Sequence, residues 1–520
     1  MSQHSLEDKD IDGGHSKEQT ILTTVAQNAD FAAAKESQKL NVWSRDSRII
    51  LAGGFVSYMC AIANGYDGSL MADFGTGTSL IFSMYTVGQI IGGLMSGPIS
   101  DRWGRRRGMF IGCLILVVGS IIISSSHHKE QFIAGRFILG WGIAIAVTCA
   151  PTYCIEIAPP QWRGRMTGFY NTGWFGGSIP AAAITLGTQY MKSNWSWRIP
   201  LILQCVPAGI VCLVVMFLPE SPRWLFLQGR EQEARDFIVR FHGAGDQNSP
   251  YVALEMKEFH ESLSLNGSDK RWWDFYELIS TKNARWRFLM VMFMGVFGQF
   301  SGNGLGYFNP KIFELLGYHD VMQFVLNLAI SIVSATGAYT GVAFTDRMPR
   351  RTVLWVGTLG CALMLAANGG LNSEFRKTAE TDNPNLPIAK AGLFFYFMFN
   401  FVNSFTYTPL QALYPVECLK TETRAKGMGA YQAIVNVISF INMFAGPIAL
   451  GNIKNNYIYV FVGWDLIEAA LWYFFGVETQ GRTLEELDEV FSAPNPVAAS
   501  KVKKMVAIKE GGRAVVVDQV

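Results

Sequence analysis

One carboxylate stands inside an otherwise apolar run of this sequence. Asp67 lies in the segment 49–72, which is long enough to cross a bilayer, and Arg136 lies early in a similar segment at 131–155. A charge within hydrocarbon is costly and is usually retained for function. An arginine neighbour favours the ionised carboxylate, whereas burial favours the protonated acid, so a change of surroundings would let Asp67 bind and release a proton. A static structural ion pair is the alternative.

Amide side chains in other apolar segments could bind the hydroxyl groups of a polar substrate, because an amide both donates and accepts hydrogen bonds. The stretch GQFSGNG at 298–304 places Gln299 and Asn303 in one segment, and its small polar residues weaken a helix there. An interhelical hydrogen bond is the alternative for any single Asn. Further candidates are Tyr307 and Asn436, followed by Asn400, Asn403 and Asn442.

The composition is that of a polytopic membrane protein. Of 520 residues, 50% are hydrophobic and 16% charged, against about 25% charged in soluble domains. A net charge of +2 gives no support for nucleic-acid binding. The cysteines and histidines show no metal-ligand spacing, and no catalytic or cofactor motif occurs, so we expect no metal, no cofactor and no enzyme activity.

Twelve apolar runs approach the length of about 20 residues that a membrane helix needs. They form two sets of six on either side of a charged linker at 219–285. This predicts an all-α membrane protein with an N-terminal half at 47–218, a C-terminal half at 286–476, and polar tails at 1–46 and 477–520. We number the runs as spans 1 to 12: 49–72, 78–99, 108–126, 131–155, 165–189, 199–218, 286–308, 322–345, 352–371, 390–413, 427–450 and 457–476.

Lys and Arg are concentrated in the loops after even-numbered spans, which predicts that these loops and both termini face the cytoplasm. Asn194, in the sequon Asn194-Trp195-Ser196, then falls in an outer loop and is a glycosylation candidate.

The two halves repeat one another. DRWGRR at 101–106 matches DRMPRR at 346–351, YCIEIAPPQWRGR matches YPVECLKTETRAK, and PESPRWL is echoed by VETQGRTL. Such duplication in transporters places the substrate site between the halves. The arginines could serve topology alone, but the acids beside them suggest ion pairs that clamp the halves together at the inner face. This predicted gate network comprises Asp101, Arg102, Arg106, Glu156, Arg163, Glu220, Asp346, Arg347, Arg351, Glu417, Arg424 and Glu478.

These motifs, with GYDG at 65–68, GRFILGWG at 135–142 and ETQGRTLEEL at 478–487, resemble the sugar porter family of the major facilitator superfamily over residues 48–492. The details are most similar to fungal lactose- and cellodextrin-permease-like members. The resemblance implies the twelve-helix major facilitator fold and a pair like that of proton-coupled sugar symporters at Asp67 and Arg136. It also points to Asn171, because relatives place a sugar-binding Gln there.

The sequence departs from hexose carriers of the family in two places. Their span 7 usually reads QQ-x-SG-x-N, whereas only Gln299 keeps its place here and Asn303 is displaced by one position. Their span 10 commonly carries a Trp where this chain has Ala412. An ordinary glucose carrier is therefore less favoured, and the smaller residue leaves room for a larger substrate.

Together these features predict a proton-coupled sugar symporter that works by alternating access as a monomer in the plasma membrane. Its partners would be a carbohydrate, protons and the lipid bilayer, with the proton gradient as the energy source. Facilitated diffusion, a sugar sensor on a transporter scaffold, and a porter of another neutral compound such as a polyol remain as alternatives.

Overall fold

A computed structural model describes the chain over residues 41–70, 79–247, 249, 252–257, 259–260, 275–306, 308–315, 318, 321–379, 386–420, 423–453, 456–480, 482, 484–501, 504–509 and 513–518. Ten helices are long and apolar enough to cross a membrane over these residues. Two more, Ser79–Trp103 and Pro160–Thr188, complete the set. The twelve-helix fold that the sequence predicted is confirmed.

In the N-terminal half, spans 1 to 5 each form one helix and span 6 is interrupted. Pro207 has no N–H to bond the carbonyl of Leu203, and the helix breaks at Gln204 between these two residues. The bounds of the seven pieces are Arg45–Leu70, Ser79–Trp103, Arg105–Ser124, Lys129–Ile157, Pro160–Thr188, Trp195–Leu203 and Cys205–Val214.

In the C-terminal half span 7 is interrupted, at Ser301 and Gly302. Gly302 has a φ of +86°, and a side chain there would collide with the ring of Phe399. Glycine is the residue that adopts this conformation without a steric penalty. The long helices are Lys282–Phe300, Val321–Phe344, Arg350–Ala379, Leu386–Cys418, Arg424–Ile453 and Tyr457–Phe475, with the short helices Asn303–Gly306 and Asn309–Leu315 after the interruption in span 7.

The halves pack against each other through span 2 with span 11 and span 5 with span 8. These contacts are largely apolar. Phe175 of span 5 lies against Ala335 and Ala338 of span 8, and the Thr86 hydroxyl is 3.2 Å from the sulfur of Met443. The bundle surface is also apolar, with Leu213 74% exposed, as expected for a face that meets lipid.

The linker and the tail carry the remaining elements. After span 6 come the short helices Pro222–Leu227 and Glu231–Phe237, and after span 12 come Leu484–Ser492 and Pro496–Ala499. The tail adds a feature that the helical pattern did not indicate: strands β1 (Lys504–Lys509) and β2 (Arg513–Asp518) form an antiparallel hairpin in which Lys504 lies opposite Asp518.

Candidate functional site

The structure brings Asp67 and Arg136 into direct contact. An Nη1 atom of Arg136 lies 2.7 Å from Oδ1 of Asp67, and both side chains are 0% exposed. The same carboxylate oxygen accepts a hydrogen bond of 2.7 Å from the Gln204 amide. The Arg136 guanidinium also lies 5.5 Å from the centre of the Tyr85 ring, within range of a cation–π interaction.

Local backbone geometry places each of these groups. Span 2 and span 4 approach so closely at Gly140 that a Cβ there would strike the Tyr85 carbonyl, and this holds the Tyr85 ring near Arg136. Gln204 lies at the interruption of span 6. Within the described residues, Oδ2 of Asp67 has no hydrogen-bond partner. Arg136 and Gln204 thus stabilise one oxygen of a buried carboxylate and leave the other available to a proton.

The buried amides lie between spans 7, 10 and 11. Ser439 donates to the side-chain oxygen of Gln299 at 3.1 Å, and the amide of Asn442 donates to the Gln299 carbonyl at 3.0 Å. Asn403 donates to the Ser301 carbonyl at 2.9 Å. Asn442 and Asn403 therefore bind backbone carbonyls at the interruption of span 7. Asn436 is buried and accepts a hydrogen bond from Gln432 of its own helix. These contacts brace the span 7 interruption.

Several predicted residues cannot be placed in the site. Tyr307 lies outside the described residues, and so do the side chains of Asn171, Asn303, Arg163 and Asp346. Asn194 precedes the first helix of span 6 and is exposed, and its glycosylation stays a prediction.

At the Arg-rich end of the N-terminal half, Arg105 is the central cation. Its guanidinium reaches both oxygens of Glu156, at 3.0 and 3.3 Å, and also Asp101 at 3.0 Å. The Ser221 hydroxyl donates to the same Glu156. The motif DRWGRRR contains the end of one helix and the start of the next. Span 2 ends at Trp103 and span 3 begins at Arg105, with Gly104 between them.

The C-terminal half repeats the contacts of Arg105, Glu156 and Ser221 at the matching positions. Arg350 contacts Glu417 at 3.3 Å, and the Thr479 hydroxyl donates to the other oxygen of Glu417. Tyr414 donates to the Val477 carbonyl, as Tyr153 donates to the Pro219 carbonyl in the N-terminal half.

The remaining motif acids bind backbone N–H groups, not arginine side chains. Glu220 accepts from the N–H of Arg106 at 3.3 Å, and Glu478 accepts from the N–H groups of Arg350 and Arg351 at 2.9 and 3.1 Å. The first N–H groups of a helix have no partner within it, so its N-terminus binds a carboxylate. Burial raises the pKa of the Glu220 carboxyl above its ordinary value, while the N–H groups of Ser221 and Arg106 counteract this.

The arginines named from the sequence play other parts. Arg106 donates to the Leu218 carbonyl at 2.5 Å, and Arg351 donates to the Tyr473 carbonyl. Each of these two arginines therefore binds a carbonyl at the C-terminal end of the last span of its half, because the final carbonyls of a helix also lack partners. The exposed side chains of Arg102 and Arg347 form no ion pair with a described residue, and Arg424 lies near the like charge of Arg223.

The expected clamp between the halves is absent from this conformation as far as the structure describes it. Each ion pair of the clusters joins residues of one half, Arg105 with Asp101 and Glu156, or Arg350 with Glu417. Arg105 and Arg350, which occupy matched positions of the repeat, were not among the residues predicted from the sequence. The same is true of Gln204. Gln204 is an amide within an apolar run, and that is a signal by which the sequence could have indicated it.

Comparisons with known proteins agree with this architecture. The family model described as "Sugar (and other) transporter" matches residues 25–491. An MFS-type transporter of Aspergillus cristatus, criB, is 25% identical over 88% of this chain and 96% of its own length. Hexose transporter 2 of Kluyveromyces lactis is 30% identical over 80% of this chain and 74% of its own. A quinate permease of Neurospora africana is 26% identical over 82% and 81%.

Solved structures support the fold. The proton:xylose symporter XylE bound to 6-bromo-6-deoxy-D-glucose superposes with a TM-score of 0.69 at 18% identity, covering 86% of this chain and 100% of that one. An inward open conformation of the xylose transporter XylE from E. coli gives 0.67 at 19% identity, with 85% and 99% covered. At this identity the likeness concerns the fold alone.

Proposed function

This chain belongs to the sugar transporter family of the major facilitator superfamily, and from that membership we propose that it is a proton-coupled symporter of a mono- or disaccharide. It works by alternating access, as a monomer in the plasma membrane with both termini in the cytoplasm. The proton gradient supplies the energy, with no other cofactor.

The observation that carries proton coupling is the fully buried Asp67 with one oxygen held by Arg136 and Gln204 and the other without a described partner. A cation in contact with a carboxyl favours its ionised form. If spans 1 and 4 move apart during the cycle, that stabilisation is lost and the carboxyl takes up a proton. Proton uptake and the change of conformation are thereby linked.

Sugar recognition is assigned to the interrupted part of span 7. Gln299 presents a buried amide beside Ser439 and Asn442. Amides and hydroxyls match the donors and acceptors of a sugar ring. A quinate permease among the relatives favours one second candidate, a porter of another polyhydroxylated compound.

The test is uptake of labelled glucose, lactose, cellobiose and quinate by transporter-deficient cells, with and without a protonophore. We expect accumulation of one of the sugars, abolished by the protonophore. Accumulation of quinate alone would establish the second candidate, and uptake of no compound would favour a sensor. Uptake that a protonophore leaves unchanged would mean facilitated diffusion.

Two variants separate coupling from binding. Asp67→Asn keeps the size of the side chain but cannot ionise, so we expect it to exchange substrate between the two sides while failing to accumulate it. Gln299→Ala serves as the contrasting variant and should weaken exchange and accumulation together, because it removes a substrate contact. If Asp67→Asn accumulates substrate normally, proton coupling at this residue is wrong.

A further inference from the structure

Span 12 buries two carboxyl groups that take no part in the site described above. Asp465 and Glu468 lie three residues apart in the helix Tyr457–Phe475 and therefore share one face. Both are 0% exposed. Among the described residues, none of their four carboxyl oxygens has a hydrogen-bond partner.

The elements packed around these carboxyls supply no compensating charge among the described residues. Span 9 contributes Cys361, and span 10 contributes Tyr407. Span 7 contributes aromatic rings, with Phe300 against Trp464. The Arg351 side chain of span 9 donates to the carbonyl of Tyr473, near the C-terminal end of span 12. Two ionised carboxylates in such surroundings would be strongly disfavoured.

The neighbouring hydrogen bonds are arranged to meet a carboxylic acid. The Thr358 hydroxyl donates its single hydrogen to the Leu354 carbonyl at 2.7 Å. The Tyr407 hydroxyl lies 2.7 Å from the Thr358 oxygen, and either hydroxyl can be the donor of that bond. Both bonds of Thr358 form at once when Tyr407 donates to it. In that arrangement the Tyr407 oxygen beside Glu468 offers lone pairs, which can accept from a protonated Glu468 and would repel an ionised one.

A donor completes the surroundings of Glu468. The indole Nε1 of Trp464 is buried without a hydrogen-bond partner among the described residues and lies beside Glu468. A carboxylic acid offers a carbonyl oxygen to such a donor and a hydroxyl to an acceptor such as Tyr407. One acceptor and one donor on either side match the two oxygens of a protonated carboxyl.

We propose that Asp465 and Glu468 form a second proton-binding site, in the C-terminal half, and that both carboxyls carry a proton at neutral pH in this conformation. The site is separate from Asp67, whose carboxylate oxygen lies 2.7 Å from Arg136. Any rearrangement that admits water between spans 9, 10 and 12 would let these protons leave. The ligand is the proton itself, and the inference does not depend on which substrate is carried.

Infrared spectroscopy of the purified full-length protein tests the protonation state. Protonated carboxyls absorb apart from carboxylates, so we expect the acid carbonyl band at neutral pH to weaken in Glu468→Gln and in Asp465→Asn, and most in the double variant. Glu233→Gln, which removes an exposed carboxyl of the linker, is the control and should leave that band unchanged. A band that is the same in wild type and double variant would overturn the proposal.

Thermal unfolding in detergent provides a second readout that is independent of transport. Raising the pH from neutral into the alkaline range removes protons from wild type and leaves buried charge without a cation, so we expect wild type to lose thermal stability. The Asp465→Asn/Glu468→Gln double variant has no such protons to lose and should keep more of its stability over the same range. Equal losses in the two proteins would contradict the inference.

Discussion

In the N-terminal half the buried Asp67 meets an arginine and an amide, whereas in the C-terminal half Asp465 and Glu468 meet neither within the described residues. The helices around both sites belong to the same duplicated unit. The difference shows that the helical scaffold of the repeat does not by itself determine which groups surround a buried carboxyl. A neighbouring cation favours the ionised form of a carboxyl, whereas apolar surroundings favour the neutral form.

The Arg-rich clusters of the two halves differ much less than the surroundings of the buried carboxyls do. Arg105 binds both oxygens of Glu156, whereas Arg350 binds one oxygen of Glu417. Gly104 has a φ of +95° and lies against Glu220, so that a Cβ there would be 2.5 Å from Oε2. Pro349 occupies the matching place in the second half. The first cluster is thus the more tightly constrained of the two.

The largest expected effect concerns the buried pair. Arg136→Met leaves the fully buried Asp67 without its partner, and we expect a loss of about 3–5 kcal/mol in the free energy of unfolding, as for other broken buried pairs. In the Asp67→Asn background the same replacement should lower the free energy of unfolding much less, because no buried carboxyl then loses its partner. Chemical unfolding of the four proteins completes this double-mutant cycle. Equal costs in both backgrounds would mean that Arg136 acts through packing alone.

The next effect separates the two turns. Gly104→Ala forces a side chain into a left-handed conformation and against Glu220, and we expect a loss of stability of about 1–3 kcal/mol. Pro349→Ala is the matched change in the other half and should cost less than about 1 kcal/mol, mainly through the unfolded chain. Thermal unfolding of the purified variants measures both. The comparison fails if Pro349→Ala is the more damaging.

The smallest effect compares the central arginines. A lysine cannot reach two carboxylate oxygens in parallel, so Arg105→Lys should destabilise its cluster more than Arg350→Lys destabilises the other. We expect a difference of about 1 kcal/mol, near that of one hydrogen bond. Initial rates of uptake and thermal unfolding, measured side by side, test it. Indistinguishable variants would show that the second contact of Arg105 with Glu156 contributes little.

The sequence predicted the helical architecture well because apolar length is a strong signal. It also predicted the partnership of Asp67 and Arg136, two charges isolated among apolar residues with few other partners to choose. The members of the Arg-rich clusters were harder to assign. Arg102, Arg105 and Arg106 differ by fractions of a helical turn, and the break at Gly104 decides which of them faces Glu156.

The roles of Glu220 and Glu478 could not be read from charge alone. Both acids lie beside arginines in sequence, yet they bind main-chain N–H groups that appear only once a helix begins at Arg105 or Arg350. Asp465 and Glu468 were visible as acids in an apolar run, but their lack of described partners depends on how spans 9, 10 and 12 pack.

Each Arg-rich cluster includes residues that follow the last span of its half, and this has a consequence for biosynthesis. Glu220 and Ser221 follow span 6, and Glu478 and Thr479 follow span 12. Neither cluster can be complete until the ribosome has made every helix of its half. The first cluster draws only on residues of the N-terminal half and its linker, so it can form while the rest of the chain is still being translated. Completion of the cluster therefore marks a finished half.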